Sequence, residues 1–143
     1  MAIRRLIACI GVGVVLMMVV VLCWPSSSSS SHVVSFEKKE RVFDETLFLF
    51  HPTMTQDGAQ SVLTVDVTIT SYMYPSILAL DMQSHWLLEV GSDHVVSPHA
   101  WVMLDTTPHQ LRGELLFYVP QGVTLDTFSL KVFALSDHDV VWD

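Results

Sequence analysis

The chain has 143 residues, of which 15 are acidic and seven are Lys or Arg, so its formal net charge is −8 with neutral histidines. All 15 acidic residues follow Pro25, together with five of the basic ones, and that part of the chain carries −10. This balance argues against nucleic acid as a partner, because nucleic acid is bound by cationic patches that displace its counterions. It also argues against a domain that lies flat on anionic lipid.

An apolar segment near the N-terminus predicts a membrane anchor. Arg4 and Arg5 precede an uncharged run of nineteen residues, 6–24, which Pro25 ends. At about 1.5 Å per helical residue the run spans about 28 Å, close to the hydrocarbon thickness of a bilayer. The two arginines orient the N-terminus towards the cytoplasm. We therefore expect residues 1–25 to form a cytoplasmic stub and one transmembrane helix, with the later residues extracellular or periplasmic.

Two alternatives for this segment stay open. A cleaved secretory signal begins in the same way, but its apolar core has about 7–15 residues and a small-x-small site follows it. Leu22, Cys23 and Trp24 do not form such a site, although cleavage after Ser28 is chemically possible. Lipid modification of Cys23 would require small residues before it. Cys9 and Cys23 are the only cysteines, so no disulfide stabilises the part that follows.

The serine run predicts a flexible linker at residues 26–32. Residues 33–143 then form one domain of about 110 residues, enough for a single hydrophobic core. Because random-coil scaling gives the linker a reach of about 15 Å, we expect the domain to stay close to the bilayer.

The hydrophobic period within this domain is two, which is typical of strands with one buried face. Residues 62–70 show it best, since Leu63, Val65, Val67 and Ile69 alternate with polar residues. Residues 111–119 and 128–134 alternate in the same way. Shorter predicted strands cover residues 33–36, 46–50, 85–90, 100–104 and 140–142.

Turn residues separate these apolar stretches. The turn signals are Asp57-Gly58, Gly91-Ser92-Asp93, Thr107-Pro108 and Gln121-Gly122. Seven or eight short strands in about 110 residues predict an all-β fold, an antiparallel two-sheet sandwich. A small open barrel is the alternative.

The end of the domain resembles a known family. Residues 111–120 read Leu-Arg-Gly-Glu-Leu-Leu-Phe-Tyr-Val-Pro, and an alternating apolar strand follows as far as Leu135. This is similar to a bacterial extracytoplasmic domain family of unknown function, whose late strands read Gly-x-Leu-x-Phe-x-Val-Pro. The family has an immunoglobulin-like sandwich behind a signal or lipid anchor and a Ser- or Thr-rich linker. The resemblance implies an immunoglobulin-like sandwich here and transfers no catalytic residue.

The seven histidines all follow Pro25, and three of them suggest a metal or pH-sensing site. His94, His99 and His109 lie in a region rich in turns, and histidine is the commonest metal ligand and titrates near neutral pH. However, no His-x-His pair and no cysteine accompanies them, so no familiar zinc spacing is present. Scattered surface histidines are therefore the interpretation that the sequence favours.

A short aromatic segment follows the best predicted strand. Tyr72, Met73 and Tyr74 precede Pro75, and exposed tyrosines bury a large area on binding at low entropic cost. The segment is therefore a candidate surface for a protein partner. The interpretation that the pattern favours is structural, with both tyrosines closing the end of the sandwich as a plug.

The sequence contains no Gly-x-Ser-x-Gly elbow, no glycine-rich phosphate loop and no cysteine beyond residue 23, so we expect neither catalysis nor a cofactor. The leading hypothesis is a membrane-tethered extracytoplasmic interaction module with an unidentified protein partner. One alternative is a histidine-based metal-handling or pH-sensing envelope protein. Another is an accessory subunit of a larger membrane complex.

Overall fold

The computed structural model describes residues 31–133 and 138–143. Among these residues, neither of the short helices has the length and apolar character needed to cross a bilayer. The predicted anchor, residues 1–25, and the serines at 26–30 lie outside the described part of the chain. The first strand begins at His32.

The described residues form ten strands and two short 3₁₀ helices. The strands are β1 His32–Ser35, β2 Lys39–Phe43, β3 Thr46–Asp57, β4 Gln60–Ser71, β5 Trp86–Val90, β6 His94–Val96, β7 Ala100–Thr106, β8 Gln110–Val119, β9 Phe128–Val132 and β10 His138–Trp142. The 3₁₀ helices, Pro75–Ala79 and Met82–His85, lie between β4 and β5.

All strand pairs within residues 31–133 and 138–143 are antiparallel and belong to two sheets. The first sheet has the order β1-β3-β4-β8-β7, and β2 also pairs with β3. The second sheet has the order β10-β9-β5-β6. The predicted all-β fold with two antiparallel sheets is therefore confirmed.

The core lies between the two sheets and follows the predicted alternation. On β4 the residues Leu63, Val65, Val67 and Ile69 are buried, and their neighbours in the sequence are half-buried on the outer face. On β8 the inward residues include the predicted Leu115 and Phe117. Buried residues of β5, β9 and β10 join them in one apolar cluster.

Aromatic rings connect the two sheets inside this core. Phe48 and Phe50 on β3 meet Trp86 on β5, with ring centroids 6.2 and 5.8 Å apart. Both contacts are close to edge-on, the arrangement that aromatic quadrupoles favour. The described residues contain no cysteine, so the sheets are held together by non-covalent contacts, chiefly apolar packing.

Pro52 explains why the first edge strand is broken into β1 and β2. Both pair with β3, but the pairing register shifts by one residue between β1 and β2. The interruption at residues 36–38 lies opposite Pro52, whose carbonyl accepts from the Phe36 amide at 3.0 Å. Because proline has no amide hydrogen to donate, the ladder cannot continue regularly past it.

The sandwich has two ends, which we call the entry end and the far end. At the entry end lie His32, where the first strand begins, and the β3–β4 turn at Gly58. At the far end Thr46 pairs with Ser71, and the β7–β8 turn lies beside them. β4 connects the two ends with twelve residues, a length of about 36 Å.

Candidate functional site

The side chains of the predicted partner-binding segment are exposed at the far end. Tyr72, Met73 and Tyr74 follow β4 directly, and their exposed fractions are 72 %, 66 % and 51 %. Isolated exposed apolar residues are common on proteins, but three consecutive large side chains form a contiguous patch. The structure therefore favours the surface interpretation of this segment over that of a buried plug.

A buried hydroxyl holds the base of this loop. Ser71 is completely buried, and its Oγ accepts hydrogen bonds from Thr46 Oγ1 and from the Tyr74 amide, both at 3.1 Å. The Ser71 amide donates to the carbonyl of His109 at 2.9 Å. These bonds connect the loop to β3 and to the β7–β8 turn, so its backbone is fixed before any partner arrives.

The residues after the loop fix its second end. The Ile77 amide donates to the Tyr74 carbonyl at 3.1 Å, which starts the 3₁₀ helix Pro75–Ala79. Ile77 is buried in the core, and Pro75 restricts the backbone at the first helical turn. The exposed side chains thus lie between two anchored positions, Ser71 and Ile77.

Two neighbouring turns complete the surface of the far end. The ring of His109, in the β7–β8 turn, stacks on Tyr72 with a centroid distance of 5.0 Å and an interplanar angle of 29°. Asp44 and Glu45 form the β2–β3 turn, directly before Thr46, which pairs with Ser71. Both acidic side chains are exposed. The aromatic loop therefore has a carboxylate pair on one side and an imidazole on the other.

The structure does not gather the three histidines that suggested a metal site. His94 lies on β6 in the second sheet, whereas His99 precedes β7 and stands 4.3 Å from the ring of Tyr118. His99 is level with Leu116 of β8 and His109 is next to its first residue, a separation of roughly 20 Å along the strand. Within residues 31–133 and 138–143, no three His, Cys, Asp or Glu residues form a group able to hold a metal.

A second polar feature lies on the outer face of the first sheet, at a groove of about 600 Å³ that His51, Asp66 and Arg112 line. Ser35 Oγ and His51 Nε2 are 3.0 Å apart, and His51 lies directly opposite Asp66 in the β3–β4 register. Arg112 donates to both carboxylate oxygens of Asp66, at 3.3 and 2.7 Å. This hydrogen bond and the negative charge of Asp66 raise the pKa of Arg112 above its ordinary value.

The chemistry of this groove is that of a surface network that connects strands. A catalytic serine requires a histidine base that a carboxylate orients. Here both oxygens of Asp66 are engaged by Arg112, and water reaches all the side chains concerned. Ser35 and His51 are sixteen residues apart in the sequence, so only the β1–β3 register reveals that they meet. The sequence showed only that polar residues occupy outward positions on these strands, which does not indicate that they are in contact.

Comparison of the chain with protein-family models, with curated proteins and with solved structures finds no match. The function of the far end therefore has to be inferred from its own geometry.

Proposed function

We propose that this protein is a non-catalytic interaction module that binds a protein partner through the loop of Tyr72, Met73 and Tyr74. One observation carries the proposal: three consecutive large side chains are exposed on a backbone that buried Ser71 fixes. Fixed tyrosines lose few rotamers on binding and bury a large area, which is why they are frequent at interface hot spots.

The charges around the loop define the partner further. Asp44 and Glu45 lie beside the loop, and residues 26–143 carry a formal charge of −10. Charges at the rim of an interface mainly determine specificity and the rate of encounter. The complementary surface is an apolar depression that accepts the tyrosines, bordered by Lys or Arg.

The location of the protein is part of the same proposal. The uncharged residues 6–24 after Arg4 and Arg5 support a single membrane anchor with the N-terminus inside. The domain is then extracellular or periplasmic, with its entry end towards the bilayer and the aromatic loop pointing away from it. The partner is accordingly a protein outside the membrane.

The domain is also proposed to be of the immunoglobulin-like type. If β3, β4, β8 and β7 are strands A, B, E and D, the second sheet supplies G, F, C and C′ in the order found in such domains. Trp86 on β5 then occupies the strand C position at which immunoglobulin domains bury a tryptophan. β1 and β2 are an addition outside strand A.

Site-specific photocrosslinking in cells of the source organism tests the interaction. A photoreactive residue at Met73 should give a discrete crosslinked protein, and the same residue at Val95, which is equally exposed on β6, should not. The double variant Tyr72→Ala/Tyr74→Ala should fold normally, but the photoreactive residue at position 73 should no longer give the crosslinked product. Identical products from both positions, or a product insensitive to the double variant, would exclude the loop as the binding surface.

A further inference from the structure

The four sheet edges of the sandwich are not equally protected. An open edge strand can pair with a foreign chain, and proteins usually prevent this by breaking, shortening, bulging, charging or covering the edge. In the described residues the β1–β2 edge is interrupted at 36–38 and carries the charged residues Lys39, Glu40 and Arg41. β6 is only three residues long.

The edge at β10 is covered from the opposite sheet. Lys39 donates through Nζ to the carbonyl of Val141 at 2.6 Å, and Trp142 donates through Nε1 to the carbonyl of Glu37 at 2.8 Å. These two bonds close one side of the sandwich. Three of the four edges thus carry a recognisable protective device.

β7, the fourth edge, is long and apolar. Its seven residues, Ala-Trp-Val-Met-Leu-Asp-Thr, include no Lys, Arg or Pro. Val102, Met103 and Leu104 are 43 %, 59 % and 49 % exposed. The register with β8 shifts at Leu104, and such a bulge protects an edge locally, but Ala100–Met103 before it pairs regularly with β8. Both Met103 and Leu104 are exposed. The 3₁₀ helix Met82–His85 lies against the strand, and its Gln83 donates to the carbonyls of the two residues before the strand, Pro98 and His99.

We propose that β7 is a docking edge, which binds an extended segment of another protein as an additional strand of the first sheet. In this binding mode main-chain hydrogen bonds supply affinity, and alternate side chains supply specificity. The regular stretch Ala100–Met103, together with the exposed Leu104, provides both the free backbone and the apolar contacts.

The local charges determine the chemistry of that segment. Asp105 lies on β7 itself, and Glu114 of β8 lies directly opposite Val102. Arg112, the basic residue of this region of β8, is already paired with Asp66. An incoming strand with apolar side chains alternating with Lys or Arg therefore complements this edge. A second copy of the chain does not, because two domains of charge −10 repel each other.

Synthetic peptides test the edge directly on the full chain in detergent micelles. The probe is a blocked octapeptide that alternates Val and Lys, compared with a Val–Glu peptide and with a Val–Lys peptide interrupted by Pro. We expect saturable binding of the first alone, measured by fluorescence anisotropy at physiological salt. Amide chemical-shift changes should be confined to β7 and its neighbour β8.

Edge variants distinguish strand addition from general attraction to an acidic domain. Leu104→Lys, which adds a charge of the kind that protects natural edges, should weaken binding at least tenfold. Val95→Lys, the matched change on β6, should leave it unchanged. Equal binding of the Pro-interrupted peptide, or equal effects of the two variants, would overturn the proposal. Self-association in sedimentation that Leu104→Lys abolishes would identify a second copy as the occupant and overturn it as well.

Discussion

Neighbouring residues of β8 have opposite environments, which gives the simplest test at the residue scale. Phe117 is completely buried, whereas Tyr118 is 42 % exposed beside His99. Phe117→Ala should reduce the free energy of unfolding by about 3–5 kcal/mol, because it leaves a cavity in the core. Tyr118→Ala should cost much less. Urea denaturation measures both, and equal losses would mean that the inward and outward faces are assigned wrongly.

Gly113 shows what alternation cannot predict at the same scale. The alternating pattern correctly places Gly113 among the inward residues of β8. It does not explain why a glycine occupies this position. The ring of Trp101 lies against its Cα, and the carbonyl oxygen of Val102 is 2.7 Å from the position that a Cβ would occupy. Only a residue without a side chain fits beneath the tryptophan at this distance.

Gly113→Ala should therefore destabilise the domain, although alanine is normally tolerated in strands. We expect a loss of about 1–3 kcal/mol, the usual range for an overpacked core position. Glu114→Ala, the adjacent change on the outer face, serves as the control and should have a small effect. Thermal unfolding of the two variants provides the measurement. A neutral Gly113→Ala would contradict the close contact with Trp101.

At the scale of elements, the strands with one buried face were predicted most clearly, whereas β1 and β7 were predicted from short apolar stretches although their residues are mostly exposed. β4, β8 and β9 alternate clearly, because burial of one face requires it. β2 was not predicted, since its Lys-Glu-Arg-Val-Phe sequence is that of a charged edge strand, and β6 is too short to show a period. The continuation of β3 beyond Phe50 was hidden by Pro52, which lies opposite the break between β1 and β2.

The candidate site could be predicted in part. The sequence located the aromatic loop, because Tyr72, Met73 and Tyr74 stand between a strand and a proline. It could not predict that Ser71 and Thr46 fix the loop, since these residues are 25 positions apart and meet only through the β3–β4 register. Nor could it separate His99 from His109, whose spacing in the chain suggested proximity.

The β2–β3 turn was missed for a chemical reason that leads to a prediction. Asp44 and Glu45 both have positive φ, 45° and 62°, as in a two-residue turn of type I′. Asn-Gly is the usual sequence there, because other residues are strained by about 1 kcal/mol or more in this region.

The double variant Asp44→Asn/Glu45→Gly should therefore stabilise the domain. Relief of strain outweighs the greater freedom that glycine gives the unfolded chain, and we expect a net gain of about 1 kcal/mol. Asp57→Asn, in the β3–β4 turn, removes a charge without relieving a positive φ and should leave stability nearly unchanged. A loss of stability on urea denaturation of the double variant would show that the carboxylates themselves hold the turn.

At the scale of the whole molecule, the positions of the two ends relate the fold to the proposed membrane tether. The chain enters at His32, next to the β3–β4 turn, and the aromatic loop lies at the opposite end of β4. A tether at the entry end therefore leaves both the loop and the side edge β7 accessible. In the proposed orientation neither surface faces the membrane, so the domain would have room for two different contacts.

This arrangement predicts a specific order of distances from the bilayer. A fluorophore at Ala59, in the entry-end turn, should be quenched strongly by acceptor lipids in liposomes that contain the full chain. A fluorophore at Met73 should be quenched weakly, because β4 separates the two positions by about 36 Å. Both cysteine variants are made with Cys9→Ser and Cys23→Ser, so that each protein carries one label. Equal quenching would mean that the domain lies on its side. Failure of the labelled protein to float with the liposomes would instead exclude the anchor and favour a cleaved signal.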